Sequence, residues 1–190
     1  MKLENSFEVP SSKQKAWELL MDVPRVVPCM PGAELREEVS DSQWKADMAV
    51  KLGPIALNFD TDIAREAVDE AGGSVTLAAK AREKRGRGGA QAAIQSTLTE
   101  LGPTSTRIDI VTDLTLSGAV AQYGRGIVQD VSQQMVGKFA DCLKGQLAAD
   151  TPEQAAAVVA DHQAQPVQGL SMGIGALWRS FLRLFGIGKK

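Results

Sequence analysis

The sequence predicts an α+β fold of the helix-grip kind, a curved antiparallel sheet wrapped on one long C-terminal helix. Two observations carry the expectation. From Ala33 to Gly118 the apolar residues recur every second position in successive runs, parted by Gly- and Pro-containing turns. From about Ala119 to Ala148 the period lengthens to that of a helix, with Ile127, Val131, Met135, Phe139, Cys142 and Leu143 on one stripe and Gln129, Asp130, Gln133 and Lys138 facing out.

Leu3 to Val9 alternates and reads as a first strand, ended by Pro10. Ser11 with Gln14 forms a capping box for a helix that buries Ala16, Trp17 and Leu20. Val23 to Met30 is apolar but interrupted by Pro24 and Pro28, so a short irregular helix is expected, closed by a Pro31-Gly32 turn. In the sheet, Trp44, Ala46, Met48, Val50 and Leu52 share one face opposite Lys45, Asp47 and Lys51. After a Gly53-Pro54 turn, Ile55, Leu57, Phe59, Thr61 and Ile63 repeat the pattern opposite Asn58, Asp60 and Asp62. Further alternating runs cover about Ser74 to Ala81, Ala90 to Leu101 and Thr106 to Leu116, giving a meander with one wet face. Gly124, Gly126 and Gly137 weaken the long helix and mark either close packing or a bend. Thr151-Pro152-Glu153-Gln154 caps a short alanine-rich helix that ends before Pro166. The organisation expected is therefore a domain over residues 1–149, a linker with a short helix over 150–170, and an amphipathic cationic tail over 171–190.

Composition closes off several chemistries. The 190 residues carry a net charge of −2, which argues against a nucleic-acid footprint. Cys29 and Cys142 are far apart without CxxC spacing, so neither a disulfide framework nor a zinc site is expected, and a reducing cytoplasm fits. His162 is the single histidine, which removes a His-based metal site, a Ser-His-Asp triad and a Cys-His dyad from the domain. The start lacks a signal peptide's apolar run, and no stretch of about 18 apolar residues is present to span a bilayer.

A sheet curved over one helix leaves a gap between them. The gap is either a solid core or an apolar pocket, and periodicity alone does not choose. Should it be a pocket, Met30, Met48, Val50, Leu57, Phe59, Leu77, Ile94, Ile110, Ile127, Val131 and Met135 line it, with Tyr123 and Arg125 near its mouth. Methionine suits a wall that adapts to a flexible ligand. Asp60, Asp62, Glu66, Asp69 and Glu70 read as a wet strand face, since no histidine lies near them to complete a metal site. Lys80 to Arg87 reads as a solvated basic hairpin tip without the aromatics that nucleic-acid binding uses.

The sharpest local signal is the tail. At helical spacing Leu177, Trp178, Phe181, Leu182, Leu184 and Phe185 share one face, Arg179 and Arg183 lie opposite, and Lys189 and Lys190 follow. Such a segment enters the boundary of an anionic membrane, fits a partner's groove, or packs on its own domain. The linker and the all-basic charge favour the first two, with the membrane placed first.

The sequence also resembles a known family. Phe7-Glu8-Val9-Pro10, Ala16-Trp17 with Leu20 and Asp22, and Cys29-Met30-Pro31-Gly32-Ala33-Glu34-Leu35 carry the likeness, joined by Ala121-Gln122-Tyr123-Gly124-Arg125, Gln134-Met135 and Phe139. Over about residues 1–148 they resemble the CoxG family of aerobic carbon monoxide dehydrogenase, in the START-like (SRPBCC) superfamily. The resemblance implies a helix-grip fold with an apolar cavity, a non-catalytic accessory role beside a molybdenum CO dehydrogenase-like hydroxylase, recruitment of that enzyme to the inner face of the cytoplasmic membrane, and handling of a quinone (menaquinone or ubiquinone) as an apolar ligand. No metal or covalent cofactor is expected. The rivals are a START-like cyclase or hydrolase acting on a hydrophobic substrate, and a pure protein–protein adaptor with a filled core.

Overall fold

A computed structural model describes residues 1–52 and 55–164. The tail expected over 171–190, the linker beyond residue 164 and the Gly53-Pro54 turn lie outside the described residues.

The chain opens with strand β1 (Lys2–Val9), helix α1 (Lys13–Met21) and helix α2 (Val23–Val26), followed by a 3₁₀ turn over Val27–Cys29. The helix starts one residue later than the capping box predicts. Ser12, not Ser11, caps α1 by accepting from the Lys15 backbone N–H. Ser11 is buried, and its backbone carbonyl accepts from Thr106 Oγ1 at 2.8 Å. On α1 the buried residues are Ala16, Leu19 and Leu20, while Trp17 is only partly covered. Pro24 and Pro28 sit in the first turns of their helical pieces, where the missing N–H costs no hydrogen bond.

Six strands follow, β2 (Ala33–Ser40), β3 (Gln43–Leu52), β4 (Ile55–Asp69), β5 (Ser74–Glu83), β6 (Gly88–Gly102) and β7 (Ser105–Gly118). With β1 they form one seven-stranded antiparallel sheet in the order β1-β7-β6-β5-β4-β3-β2. Each β2–β7 strand pairs with its neighbour in sequence, and β1 pairs with β7 to close the meander. Gly32 fixes the entry to this sheet. Its φ is +79°, its carbonyl accepts from the Ala49 N–H at 2.8 Å, and a Cβ there would stand 2.2 Å from the Ala49 carbonyl oxygen. Only glycine fits so close an approach at positive φ.

The long helix is shorter than predicted. Ala119–Tyr123 form a 3₁₀ segment, and α3 runs over Gly124–Ala148. Glycines at positive φ bound that segment, Gly118 at +65° and Gly124 at +77°. Gly118 also abuts Gly88 so tightly that a Cβ on either would collide with the other strand. Helix α4 (Pro152–Ala164) is capped by Thr151 Oγ1, which accepts from the Gln154 N–H, and packs on α3.

The apolar interior is divided. One cluster joins α1, the C-terminal half of α3 and the strands β1, β6 and β7 around Val9, Leu98, Ile108, Phe139 and Leu143. Phe7 meets Phe139 edge to face, with centroids 6.2 Å apart. A second joins α2 to β2 and β3 around Val23, Trp44 and Ala46, and a third joins Leu57, Phe59 and Val120. Arg65 ties the second in place. Its guanidinium stacks 5.3 Å over Trp44 and donates to the carbonyls of Met21 and Asp41.

The two cysteines overturn the expectation that no disulfide forms. Cys29, at the end of the 3₁₀ turn, and Cys142, on α3, are joined with their Cα atoms 5.5 Å apart. The 113 residues between them hid the pair, because the fold lays the end of that turn directly on α3. Gln146, one turn on from Cys142, donates to the Arg25 carbonyl and to Cys29 Sγ, and accepts from the Arg25 guanidinium.

Candidate functional site

Side chains of β3 to β7 alternate, and the inward residues Leu98 of β6 and Ile108 and Ile110 of β7 pack in one cluster with the C-terminal half of α3. The residues predicted to line a pocket divide into two groups. Leu57, Phe59 and Ile110 are 1%, 5% and 7% exposed and belong to the packed clusters. Met30, Met48, Val50, Leu77, Ile94, Tyr123, Val131 and Met135 are only partly covered, and Ile127 is 48% exposed. Met30, Met48, Val50, Ile94 and Tyr123 edge the clusters, whereas Leu77, Ile127, Val131 and Met135 belong to none.

The pattern follows the helix. The buried residues of α3 are Phe139, Ala140, Cys142, Leu143 and Gln146, all in its C-terminal half. Its N-terminal half, Gly124 to Gly137, contains no fully buried residue. On the inward face of the sheet, Leu77 on β5 is the cross-strand partner of Ile94 on β6, and Ala79 pairs with Ala92. Small alanines at 79, 81, 90 and 92 continue the same face of β5 and β6. These partly covered apolar side chains are the candidate lining of an apolar groove. A pocket of about 380 Å³ has a mixed wall, with Asp47, Asn58, Lys84 and Arg85 beside Met48 and Phe59. There Lys84 bridges Asp47 at 2.7 Å and Asp60 at 3.2 Å, and Asp47 also meets Arg36. The hydrogen bond from Lys84 holds the Asp47 carboxyl below its usual range.

The sequence reading missed a latch on the inward face of β5. Glu83, cross-strand from Phe59, is buried on the inward face. Its carboxylate accepts from the Arg87 guanidinium at 2.9 Å and from the backbone N–H groups of Arg85 and Arg87. Those bonds, led by the Arg87 side chain, pull its pKa down to about 2. Arg87 also donates to the Ala56 carbonyl, and its own carbonyl accepts from Val120. It thereby joins β4, the β5–β6 hairpin and the 3₁₀ segment before α3. The signal was present as Glu and Arg four residues apart across a glycine turn, within a run read only as solvated. Arg82, paired with Asp62, and Lys84 are likewise engaged rather than free. Arg125 is exposed, while Tyr123 packs against the Leu57–Phe59 cluster.

Among the described residues no group of three His, Cys, Asp or Glu side chains is arranged to hold a metal, and no helix is long and apolar enough to cross a membrane. Asp69 caps the β4–β5 turn by accepting from the Gly72 N–H.

Comparison with known proteins places this geometry. Residues 6–148 match the family model for CoxG, a component of carbon monoxide dehydrogenase. No curated protein matches. Solved structures share the fold at low identity. A conserved protein from Geobacillus kaustophilus has TM-score 0.70 at 19% identity, covering 78% of this chain and 95% of that one. A START superfamily protein from Mycobacterium smegmatis has TM-score 0.52 at 18% identity, covering 77% and 96%. Norcoclaurine synthase from Thalictrum flavum has TM-score 0.51 at 15% identity, covering 76% and 84%.

Proposed function

We propose, from the premise that this chain belongs to the CoxG family of carbon monoxide dehydrogenase, that it is a non-catalytic carrier and adaptor. The groove takes an apolar, quinone-like molecule such as menaquinone or ubiquinone. The tail, through Leu177, Trp178, Phe181, Leu182, Leu184 and Phe185 with Arg179, Arg183, Lys189 and Lys190, holds the protein at the anionic inner face of the cytoplasmic membrane. The partner is a molybdenum hydroxylase of the CO dehydrogenase kind.

One observation carries the ligand reading. The N-terminal half of α3 contains no fully buried residue, and Met135 on it, like Leu77 and Ile94 on the inward face of the sheet, is apolar and only partly covered. An isoprenoid quinone leaving a bilayer exposes its chain to water at a cost of about 0.8 kcal/mol per CH₂. A groove of this composition offsets that cost. The groove offers little for catalysis, since the buried acid Glu83 is locked ionised by Arg87, which removes it as a proton donor at neutral pH.

The test is extraction of the full chain purified from a host that makes quinones, followed by mass spectrometry of the extract. A bound quinone is expected. Repeated recovery of empty protein that takes up no added quinone contradicts the reading.

A further inference from the structure

We infer that the face of α3 around Ile127 is a seat for this chain's own segment 177–185, occupied when the tail is away from a membrane. The inference goes beyond the carrier reading and does not depend on it.

The argument begins with α4. It packs antiparallel along α3, with Val158 against Gly145 and, one turn on, His162 beside Asp141 and Lys138. Gly145 and Ile127 are eighteen residues apart, about five turns, so they lie on one face of the helix. At Gly145 that face is covered by α4. At Ile127 the same face is open, and Ile127 is among the most exposed large apolar residues described. The stripe between them runs through Val131, Gln134 and Lys138.

Direction and length then select the occupant. α4 ends at Ala164, two residues beyond His162, heading up this stripe towards Ile127. Eleven residues of α3 separate Lys138 from Ile127, a rise of about 16 Å. Residues 165–176 supply twelve residues of chain, which span up to about 40 Å when extended. The next segment is the one whose six apolar side chains share a face at helical spacing. Charge agrees with the placement. Residues 171–190 carry four cations and no acid, and the exposed Asp130 and Asp141 flank the stripe, eleven residues apart and so on one side of the helix. A second copy of the chain and a lipid surface are the other occupants the face would fit.

The test uses the full chain in lipid-free buffer. Cysteines placed by Ile127→Cys and Phe181→Cys are joined with a short bismaleimide, and the linked peptides are identified by mass in the monomer fraction. The pair Thr97→Cys with Phe181→Cys, on the outer face of β6, is the control. At least tenfold more 127–181 link than 97–181 link is expected. Equal yields overturn the proposal, and a link found only between two chains overturns it in favour of a second copy. Because Ile127→Cys alters the seat itself, amide exchange over Gly124 to Gly137 is compared between the native chain and the full-length variant Phe181→Glu with Phe185→Glu. Exchange at least tenfold faster in the variant supports the seat, and unchanged exchange overturns it.

Discussion

Cys29 and Cys142, 113 residues apart in sequence, meet in a disulfide that pins the Val27–Cys29 turn to the C-terminal half of α3. Both are buried, and Gln146 donates to Cys29 Sγ in the same turn. The pin lies in the anchored half of the helix, and the other half contains no fully buried residue.

Closing a loop of this length stabilises the fold by about 4–5 kcal/mol on the loop-entropy account. Replacing both residues, Cys29→Ala with Cys142→Ala, is therefore expected to lower the thermal midpoint by roughly 10 °C. Scanning calorimetry of the two proteins checks it, and equal midpoints would show that the bridge adds nothing.

Gly32→Ala places a methyl against the Ala49 carbonyl at a φ of +79°. The backbone conformation alone costs about 1 kcal/mol or more, and the collision forces the β2–β3 register to shift. A urea midpoint lower than that of the native chain is expected, whereas Gly86→Ala, with nothing within 4 Å, loses only the positive-φ part.

His162 gives the fold a pH dependence of known sign. Burial lowers its pKa below 6.5, partly opposed by a hydrogen bond to the Cys29 backbone; Lys138 lowers it further, and Asp141 and Asp161 raise it. The neutral imidazole's contribution is fully present above the unfolded value near 6.5, and is lost as pH falls from there through the folded value. Between pH 7.5 and 5 the native chain should lose more stability than His162→Gln. Parallel slopes in the two proteins would contradict the assignment.

Glu83 behaves differently, because its pKa of about 2 lies below its ordinary 4.5. Its contribution is present above 4.5 and lost only as pH falls towards 2. Glu83→Gln should speed amide exchange over the β5–β6 hairpin at pH 7, while acidifying the native chain from pH 7 to 5 should not open that hairpin.

Much of the architecture was legible in the sequence, for physical reasons. Period-two runs such as Trp44 to Leu52 place one face inward wherever one side of a sheet is wet, so the strands and their order along the chain followed. The family likeness rested on a stretch whose Gly32 has a steric reason to be glycine. The cap at Ser12 was displaced by one residue because Ser11 is drawn into the core, where its carbonyl meets Thr106. The break before α3 escaped notice because Ala119 to Tyr123 keeps a helical composition, and only the positive φ of Gly118 and Gly124 separates it. The Cys29–Cys142 bridge and the Gln146 contacts join residues more than 100 apart, which no local pattern encodes. For the groove, chemistry was legible but depth was not. Leu57, Phe59 and Leu77 all alternate inward, yet the first two are packed and the third is partly open, because coverage depends on where α3 lies.

The central claim is that the groove binds an apolar molecule, and uptake of menaquinone from vesicles tests it most directly. The full chain is compared with Leu77→Trp and Ile94→Trp, which fill the groove from two paired strands, and with Ala93→Trp on the outer face of β6. The account predicts saturable uptake by the native chain and by Ala93→Trp, weakened at least tenfold in both groove variants. No uptake by any of them, or equal uptake by all four, would contradict it.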